Sequence, residues 1–160
     1  MKSVAIILAY ILLIIATTSA NKYVISNQKV TFHDGYLRCI QYGLDPAEVL
    51  SETDEIELEE ALKPFKEIGA LEGIWIFSSN TGNKTNFFWL NSNLPLFYSK
   101  FSVGQPNGVG YSCLEIYQSN TGVFFWNDLA CETKLRFVCQ RKQNDNMCSD
   151  NQVGTRNHQD

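Results

Sequence analysis

Histidine is scarce in this 160-residue chain, and its scarcity excludes several kinds of chemistry. Only His33 and His158 are present, and none of the five cysteines is spaced as C-x-x-C. Zinc sites and nucleophile–histidine pairs need positioned imidazoles or closely spaced thiolates. The paired carboxylates of glycoside hydrolysis are missing too, because the candidate loop offers Asp128 alone. We therefore predict that the protein is not an enzyme.

Clusters of basic residues and long apolar runs are also absent. The chain has 13 lysines and arginines against 17 acidic residues, so it lacks the positive surface that nucleic-acid binding needs. The apolar run 4–16 is shorter than the ~20 residues of a membrane span, which argues against a membrane anchor. With Lys2 before it and small residues at Thr18 and Ala20, the run predicts a signal peptide over residues 1–20. The protein is then secreted and extracellular.

The remaining chain has the composition of one domain followed by a tail. Residues 21–142 are long enough for a single hydrophobic core. Residues 143–160 are almost entirely polar, so we expect them to form a mobile tail.

Two capped helices are expected early in the domain. Thr31 is a helix cap, and the residues after it place an apolar stripe on one face: Phe32, Tyr36, Leu37 and Ile40. Ser51 caps a second helix, whose apolar stripe is Leu58, Leu62 and Phe65. Pro64 lacks an amide hydrogen, so this helix should end or kink near Lys63.

The second half of the domain favours short strands separated by polar turns, an α+β arrangement. The predicted strands follow a first strand at 23–30 and are 74–77, 86–90, 112–117, 122–126 and 135–140. Residues 91–109 carry few strand signals, and a loop of this length in a compact domain is usually functional.

Cysteines in an oxidising compartment form disulfides by default, and the count alone leaves the pairing open. Cys148 is the odd cysteine, in the tail; it indicates either a disulfide to another chain or a thiol without function. Asn83 begins a glycosylation sequon among turn-forming residues.

Motifs in fixed order across residues 23–141 resemble those of the C-type lectin-like domain family, and the layout is similar to small secreted insect lectins. The resemblance implies an α+β fold with two helices, antiparallel sheets and a long irregular binding loop. It also implies two disulfides, Cys39–Cys139 and Cys113–Cys131. The motifs are Gly73-Ile74-Trp75-Ile76, Phe88-Trp89-Leu90, Gln105-Pro106-Asn107, Trp126-Asn127-Asp128 and Phe137-Val138-Cys139.

The resemblance also implies a carbohydrate and calcium site built from Gln105, Asn107, Asn127 and Asp128. Tyr111 stands where the family has a carboxylate, and a phenol is uncharged at physiological pH and a poor calcium ligand. One side-chain carboxylate remains, so we expect calcium to bind weakly, with a Kd of ~10⁻⁴ to 10⁻³ M or higher. A second family calcium site has no acids here.

Two functions follow from these residues. The first is a secreted lectin that binds carbohydrate or glycoprotein through the long loop, with weak or degenerate calcium coordination. The alternative is a calcium-independent lectin-like module that binds protein through loop aromatics. Those aromatics are Phe97, Tyr98, Phe101 and Tyr111.

Overall fold

The computed structural model describes residues 21–65, 72–80, 86–108 and 110–142. The predicted signal peptide, the predicted tail, Cys148 and Asn83 lie outside the described residues. The two helices are α1 (Phe32–Gln41) and α2 (Glu52–Leu62), and a 3₁₀ turn (Lys63–Phe65) follows α2. The strands are β1 (Tyr23–Ile25), β2 (Asp45–Pro46), β3 (Ile74–Asn80), β4 (Phe87–Trp89), β5 (Cys113–Gln118), β6 (Phe124–Leu129) and β7 (Arg136–Gln140).

All seven strands belong to one sheet with the order β1-β7-β3-β5-β6. Strand β2 pairs with β7, and β4 pairs with β3. Every pairing is antiparallel except β3 with β7, where Ile74 lies opposite Arg136 in parallel register. The sheet is therefore mixed, whereas the family resemblance implies antiparallel sheets. The parallel pair arises because the chain turns back after β6 and inserts β7 between β1 and β3 rather than beside β6.

Both predicted helix caps are confirmed. The Thr31 hydroxyl accepts a hydrogen bond from the Asp34 amide at 3.3 Å, and the Ser51 hydroxyl accepts one from the Asp54 amide at 3.2 Å. Each cap satisfies an amide that has no partner inside its helix. Helix α2 ends at Leu62, and the 3₁₀ turn contains Pro64, as the missing proline amide predicts.

The predicted apolar stripe of α1 is partly wrong. Leu37 and Ile40 are 55% and 49% exposed. The helix buries Phe32, as predicted, together with Gly35 and Cys39. At Gly35 the helix lies so close to the sheet that an added Cβ would sit 3.2 Å from Phe137. This glycine, together with the Cys39 disulfide, sets the rotation of the helix about its axis, and hydropathy alone does not reveal it.

Strand β6 runs further than predicted. The predicted strand ends at Trp126, but β6 continues to Leu129. Asn127 and Asp128 lie opposite Glu115 and Leu114 in the β5 ladder. Cross-strand pairing therefore overrides the weak intrinsic strand preference of asparagine and aspartate.

The two disulfides that the resemblance implies are present. Cys39 is bonded to Cys139, which ties α1 to β7 across 100 residues. Cys113 is bonded to Cys131, which ties the start of β5 to the segment after β6. Both bonds lie on the face of the sheet that packs against α1.

The opposite face of the sheet carries the larger core, which α2 covers together with part of the long connection between β4 and β5. Trp89 and Trp126 are fully buried in this core, with rings 5.8 Å apart in an edge-to-face arrangement. Within the part of the chain that the structure describes, no helix combines the length and apolarity of a membrane span.

Candidate functional site

The connection between β4 and β5, residues 90–112, contains the predicted binding loop 91–109 and is here called the long loop. Its first residues are held by Glu48, which is buried before α2. One Glu48 carboxylate oxygen accepts hydrogen bonds from the amides of Asn91 at 3.1 Å and Ser92 at 2.7 Å. Burial raises the pKa of the Glu48 carboxyl, and these hydrogen bonds oppose the increase.

The middle of the long loop is hydrogen-bonded to β6. The Trp126 amide donates to the Lys100 carbonyl at 2.8 Å, and the Ser102 amide donates to the Trp126 carbonyl at 3.1 Å. The indole of Trp126 donates to Glu55 Oε2 on α2 at 3.0 Å. Glu55 is buried, and this burial raises its pKa to about 7. Lys100 lies near it, with Nζ 3.8 Å from Glu55 Oε1, while the same ammonium pairs with Glu59.

The end of the long loop is held by Asp128. Its buried carboxylate accepts three hydrogen bonds from this segment. Asp128 Oδ1 accepts from the Asn107 amide at 2.8 Å, and Oδ2 accepts from the Gly108 amide at 3.0 Å and the Ser112 hydroxyl at 2.8 Å. Both carboxylate oxygens are therefore committed to closing the loop, an arrangement we call the Asp128 clasp.

Tyr111 points toward helix α1 and is 50% exposed. Its hydroxyl lies 3.2 Å from His33 Nε2, and the two rings are nearly parallel, with centroids 6.1 Å apart. The residues on either side of Tyr111 are pinned by Asn80, which donates to the Gly110 carbonyl and accepts from the Ser112 amide, each at 2.9 Å. Tyr111 thus links the long loop to α1.

Asn127 lies opposite Glu115 in the ladder, and its Nδ2 donates to Glu115 Oε1 at 2.8 Å. Because neighbouring residues of a strand point to opposite faces, Asn127 and Asp128 project from different faces of β6. Burial raises the pKa of the Glu115 carboxyl, and the hydrogen bond from Asn127 opposes it. Glu115 reaches over Gly73, where an added Cβ would lie 1.4 Å from Oε2.

Two side-chain oxygens of the predicted ligand set have no partner. Gln105 Oε1 and Asn127 Oδ1 are buried and accept no hydrogen bond from any residue that the structure describes. Gln105 precedes Pro106 through a cis peptide bond, and the neighbouring Asn107 side chain is exposed. These amides present acceptors for hydroxyl or amine donors.

The residues present do not fit the calcium site that the resemblance implies. Calcium takes six to eight oxygens and depends on charged ligands for affinity. The Asp128 carboxylate is engaged by three donors, and Tyr111 is turned to His33. Within the described ranges, no group of three or more acidic, histidine or cysteine side chains is arranged to hold a metal ion. What remains of the predicted set is a pair of unpartnered amide oxygens and the exposed Asn107.

The sequence interpretation missed three buried carboxylates that shape this region: Glu48, Glu55 and Glu115. For Glu115 a signal exists in the sequence. The disulfide of Cys113 makes one face of β5 a buried face, and the two-residue period of a strand puts Glu115 on that face. The burial of Glu48 and Glu55 depends on contacts with Asn91, Ser92 and Trp126, which lie far away in the sequence.

Comparisons with known proteins place the fold. No family model matches the sequence. Salivary C-type lectin 2 of Aedes albopictus is 29% identical over 131 residues, covering 78% of this chain and 86% of that protein. Human lithostathine superposes with a TM-score of 0.63 at 26% identity, covering 76% of this chain and 91% of that one.

A second similar structure contains a bound glycan. The C-type lectin domain of murine dendritic cell inhibitory receptor 2, in complex with N-glycan, superposes with a TM-score of 0.64 at 22% identity. The match covers 76% of this chain and 90% of that domain.

The mixed sheet, the two helices and the two disulfides define a disulfide-stabilised α+β domain of the C-type lectin fold. With the insect lectin relative, they support a C-type lectin-like domain protein.

Proposed function

We propose that this protein is an extracellular carbohydrate-binding lectin whose long loop is shaped by the Asp128 clasp instead of by calcium. The observation that carries the proposal is the engagement of both Asp128 carboxylate oxygens by three donors of the loop. A loop closed in this way is ordered before a ligand arrives, which lowers the entropic cost of binding.

Carbohydrate is the ligand class that the site chemistry favours. Gln105 and Asn127 offer unpartnered amide oxygens, and the exposed Asn107 adds both a donor and an acceptor. Sugar hydroxyls donate and accept, so they complement neutral amides without a metal ion. The relatives support the same class, since one is named a salivary C-type lectin and another binds N-glycan.

The test is a glycan array probed with the labelled protein in EDTA and again in millimolar calcium. We expect saturable binding to the same glycans in both buffers. Asp128→Asn should weaken that binding about tenfold or more. The asparagine side chain replaces one acceptor oxygen by an NH₂ donor, which would then face a donor of the loop.

Glu132→Gln is the matched control. It makes the same carboxylate-to-amide change at an exposed position next to Cys131 and should leave binding unchanged. Binding that appears only with calcium would contradict the proposed mechanism. Absence of glycan binding in both buffers would contradict the proposal that the protein recognises carbohydrate.

A second function is favoured by two apolar side chains of the loop. Phe97 is 85% exposed and Val103 is fully exposed, whereas Tyr98 and Phe101 pack against the core beside Trp126. Of the four aromatics predicted to form a contact surface, only Phe97 and Tyr111 are exposed. A protein-binding module would lose partner binding on Phe97→Ser while glycan binding stayed intact, and a pull-down with the wild type and Phe97→Ser tests this.

A further inference from the structure

Glu115 lies outside the ligand set that the resemblance implies, yet its side chain is hydrogen-bonded to one member of that set. Its buried Oε1 accepts a hydrogen bond from Asn127 Nδ2 at 2.8 Å. We propose that Glu115 is a positioning residue that fixes the Asn127 amide with its oxygen as the free acceptor. This role rests on the proposed function: by orienting Asn127, Glu115 makes the site accept a hydrogen bond from a hydroxyl group of the bound sugar.

The orientation follows from the chemistry of the two groups. An amide carries a donor nitrogen and an acceptor oxygen, whereas a carboxylate only accepts. Asn127 must therefore turn its nitrogen to Glu115, and its Oδ1 is left without a partner among the described residues. A neutral neighbour with both donor and acceptor atoms would leave the amide free to face either way.

The fold makes room for this carboxylate at a cost. Glu115 is buried, and no lysine, arginine or histidine in the described ranges forms an ion pair with it. A Cβ at position 73 would lie 1.4 Å from Glu115 Oε2, so this position of the carboxylate depends on Gly73. A buried, unpaired carboxylate destabilises a domain, and an apolar side chain would pack in its place at no such cost. This cost argues for a role in binding.

The free oxygen of Asn127 selects a donor. It is shielded from solvent and accepts no hydrogen bond from the described residues, so a sugar hydroxyl that reaches it satisfies an otherwise unpaired acceptor. A ligand that lacks this hydroxyl leaves the acceptor unsatisfied. Sites of this kind discriminate strongly against the deoxy analogue.

The experiment exchanges the donor and acceptor between the two positions. Binding of a fluorescently labelled N-glycan is measured by anisotropy, in EDTA, for the wild type, two single variants, their combination and a control. Glu115→Gln should weaken binding about tenfold without lowering the melting temperature, because the amide loses its fixed orientation while a buried charge is removed. Asn127→Asp should lose both binding and stability, because two carboxylates then face each other.

The double variant E115Q/N127D is the decisive one. The new amide nitrogen at position 115 donates to the new carboxylate at position 127, whose second oxygen is again a committed acceptor. We expect its affinity to return to within about threefold of wild type, as restoration of one hydrogen bond requires. Glu132→Gln, the control, is an exposed change of the same kind and should bind as the wild type does.

Two results would overturn the inference: wild-type affinity in Glu115→Gln, or a folded double variant that does not recover binding. Failure of the wild type itself to bind any N-glycan would count against the proposed function instead. The orientation is then read by NMR, where the side-chain amide resonances of Asn127 should move in Glu115→Gln and stay fixed in Glu132→Gln. Unmoved resonances would overturn the inference on their own.

Discussion

Asp128 Oδ1 lies 2.8 Å from the backbone nitrogen of Asn107, so the last residue of the Trp-Asn-Asp motif holds the residue after the cis-proline. The same carboxylate also binds the Gly108 amide and the Ser112 hydroxyl. A residue that the family resemblance assigns to calcium instead acts as an internal acceptor for the loop.

Removal of this acceptor should destabilise the domain. In Asp128→Ala, three donors lose a charged partner, and we expect a loss of about 2–4 kcal/mol in the free energy of unfolding. Urea unfolding followed by far-UV circular dichroism measures the change, with Glu132→Ala as the exposed control. Equal stability of the two variants would mean that the clasp does not hold the loop.

Glu55 should make stability depend on pH. Its folded pKa of about 7 exceeds the ordinary value of 4.5, so as pH rises the Glu55 carboxyl loses its proton at a lower pH in the unfolded chain than in the folded one. The Glu55 contribution is therefore complete below about pH 4.5 and is lost as pH rises to about 7, a decrease of roughly 3 kcal/mol.

The measurement is urea unfolding between pH 5 and 8 for the wild type and Glu55→Gln. Glu48 and Glu115 also have raised pKa values, so the difference between the two proteins isolates Glu55. The Trp126 indole N–H resonance should titrate over the same range in the wild type only, because it donates to Glu55. An indole signal that does not move with pH would contradict this assignment.

Gly73→Ala should destabilise the domain by about 1–3 kcal/mol, because the buried Glu115 carboxylate has to move away from the new methyl group. Combination with Glu115→Ala should restore most of that loss, since the remaining neighbour is the Glu115 Cβ at 3.1 Å. Thermal unfolding of both single variants and the double variant gives the coupling. Simple additivity of the two changes would show that the two residues do not contact each other.

The two disulfides should contribute unequally. The Cys39–Cys139 bond spans 100 residues and the Cys113–Cys131 bond spans 18. The chain-entropy model then gives about 4–5 and about 3 kcal/mol of stabilisation, respectively. Paired Cys→Ala variants, unfolded in urea under non-reducing conditions, test this order.

Local features of the fold could be predicted from the residues themselves, whereas long-range ones either came from the family resemblance, as the disulfides did, or could not be predicted. Thr31 and Ser51 cap their helices as expected, because a cap depends on residues three positions apart. The buried face of α1 was predicted only in part: Phe32 is buried but Leu37 and Ile40 are exposed, because the contact of Gly35 with Phe137, near the other end of the domain, sets the rotation of the helix.

The candidate site, too, could be predicted only in part from the sequence. The lack of strand signals locates the long loop and the resemblance names Asp128, but a residue type does not reveal whether its oxygens face a metal ion or backbone amides. That outcome depends on how Asn107, Gly108 and Ser112 fold back onto β6. The departure at Tyr111 is visible in the sequence, whereas its contact with His33 requires the packing of the loop against α1.

A calcium titration of the wild-type protein, followed by its melting temperature, tests the central claim most directly. With both Asp128 oxygens bound by the loop, calcium up to about 1 mM, the weak extracellular range, should leave the melting temperature unchanged relative to EDTA and to magnesium. A saturable increase with calcium that Asp128→Asn abolishes would contradict the account, because it would show that the carboxylate binds the ion.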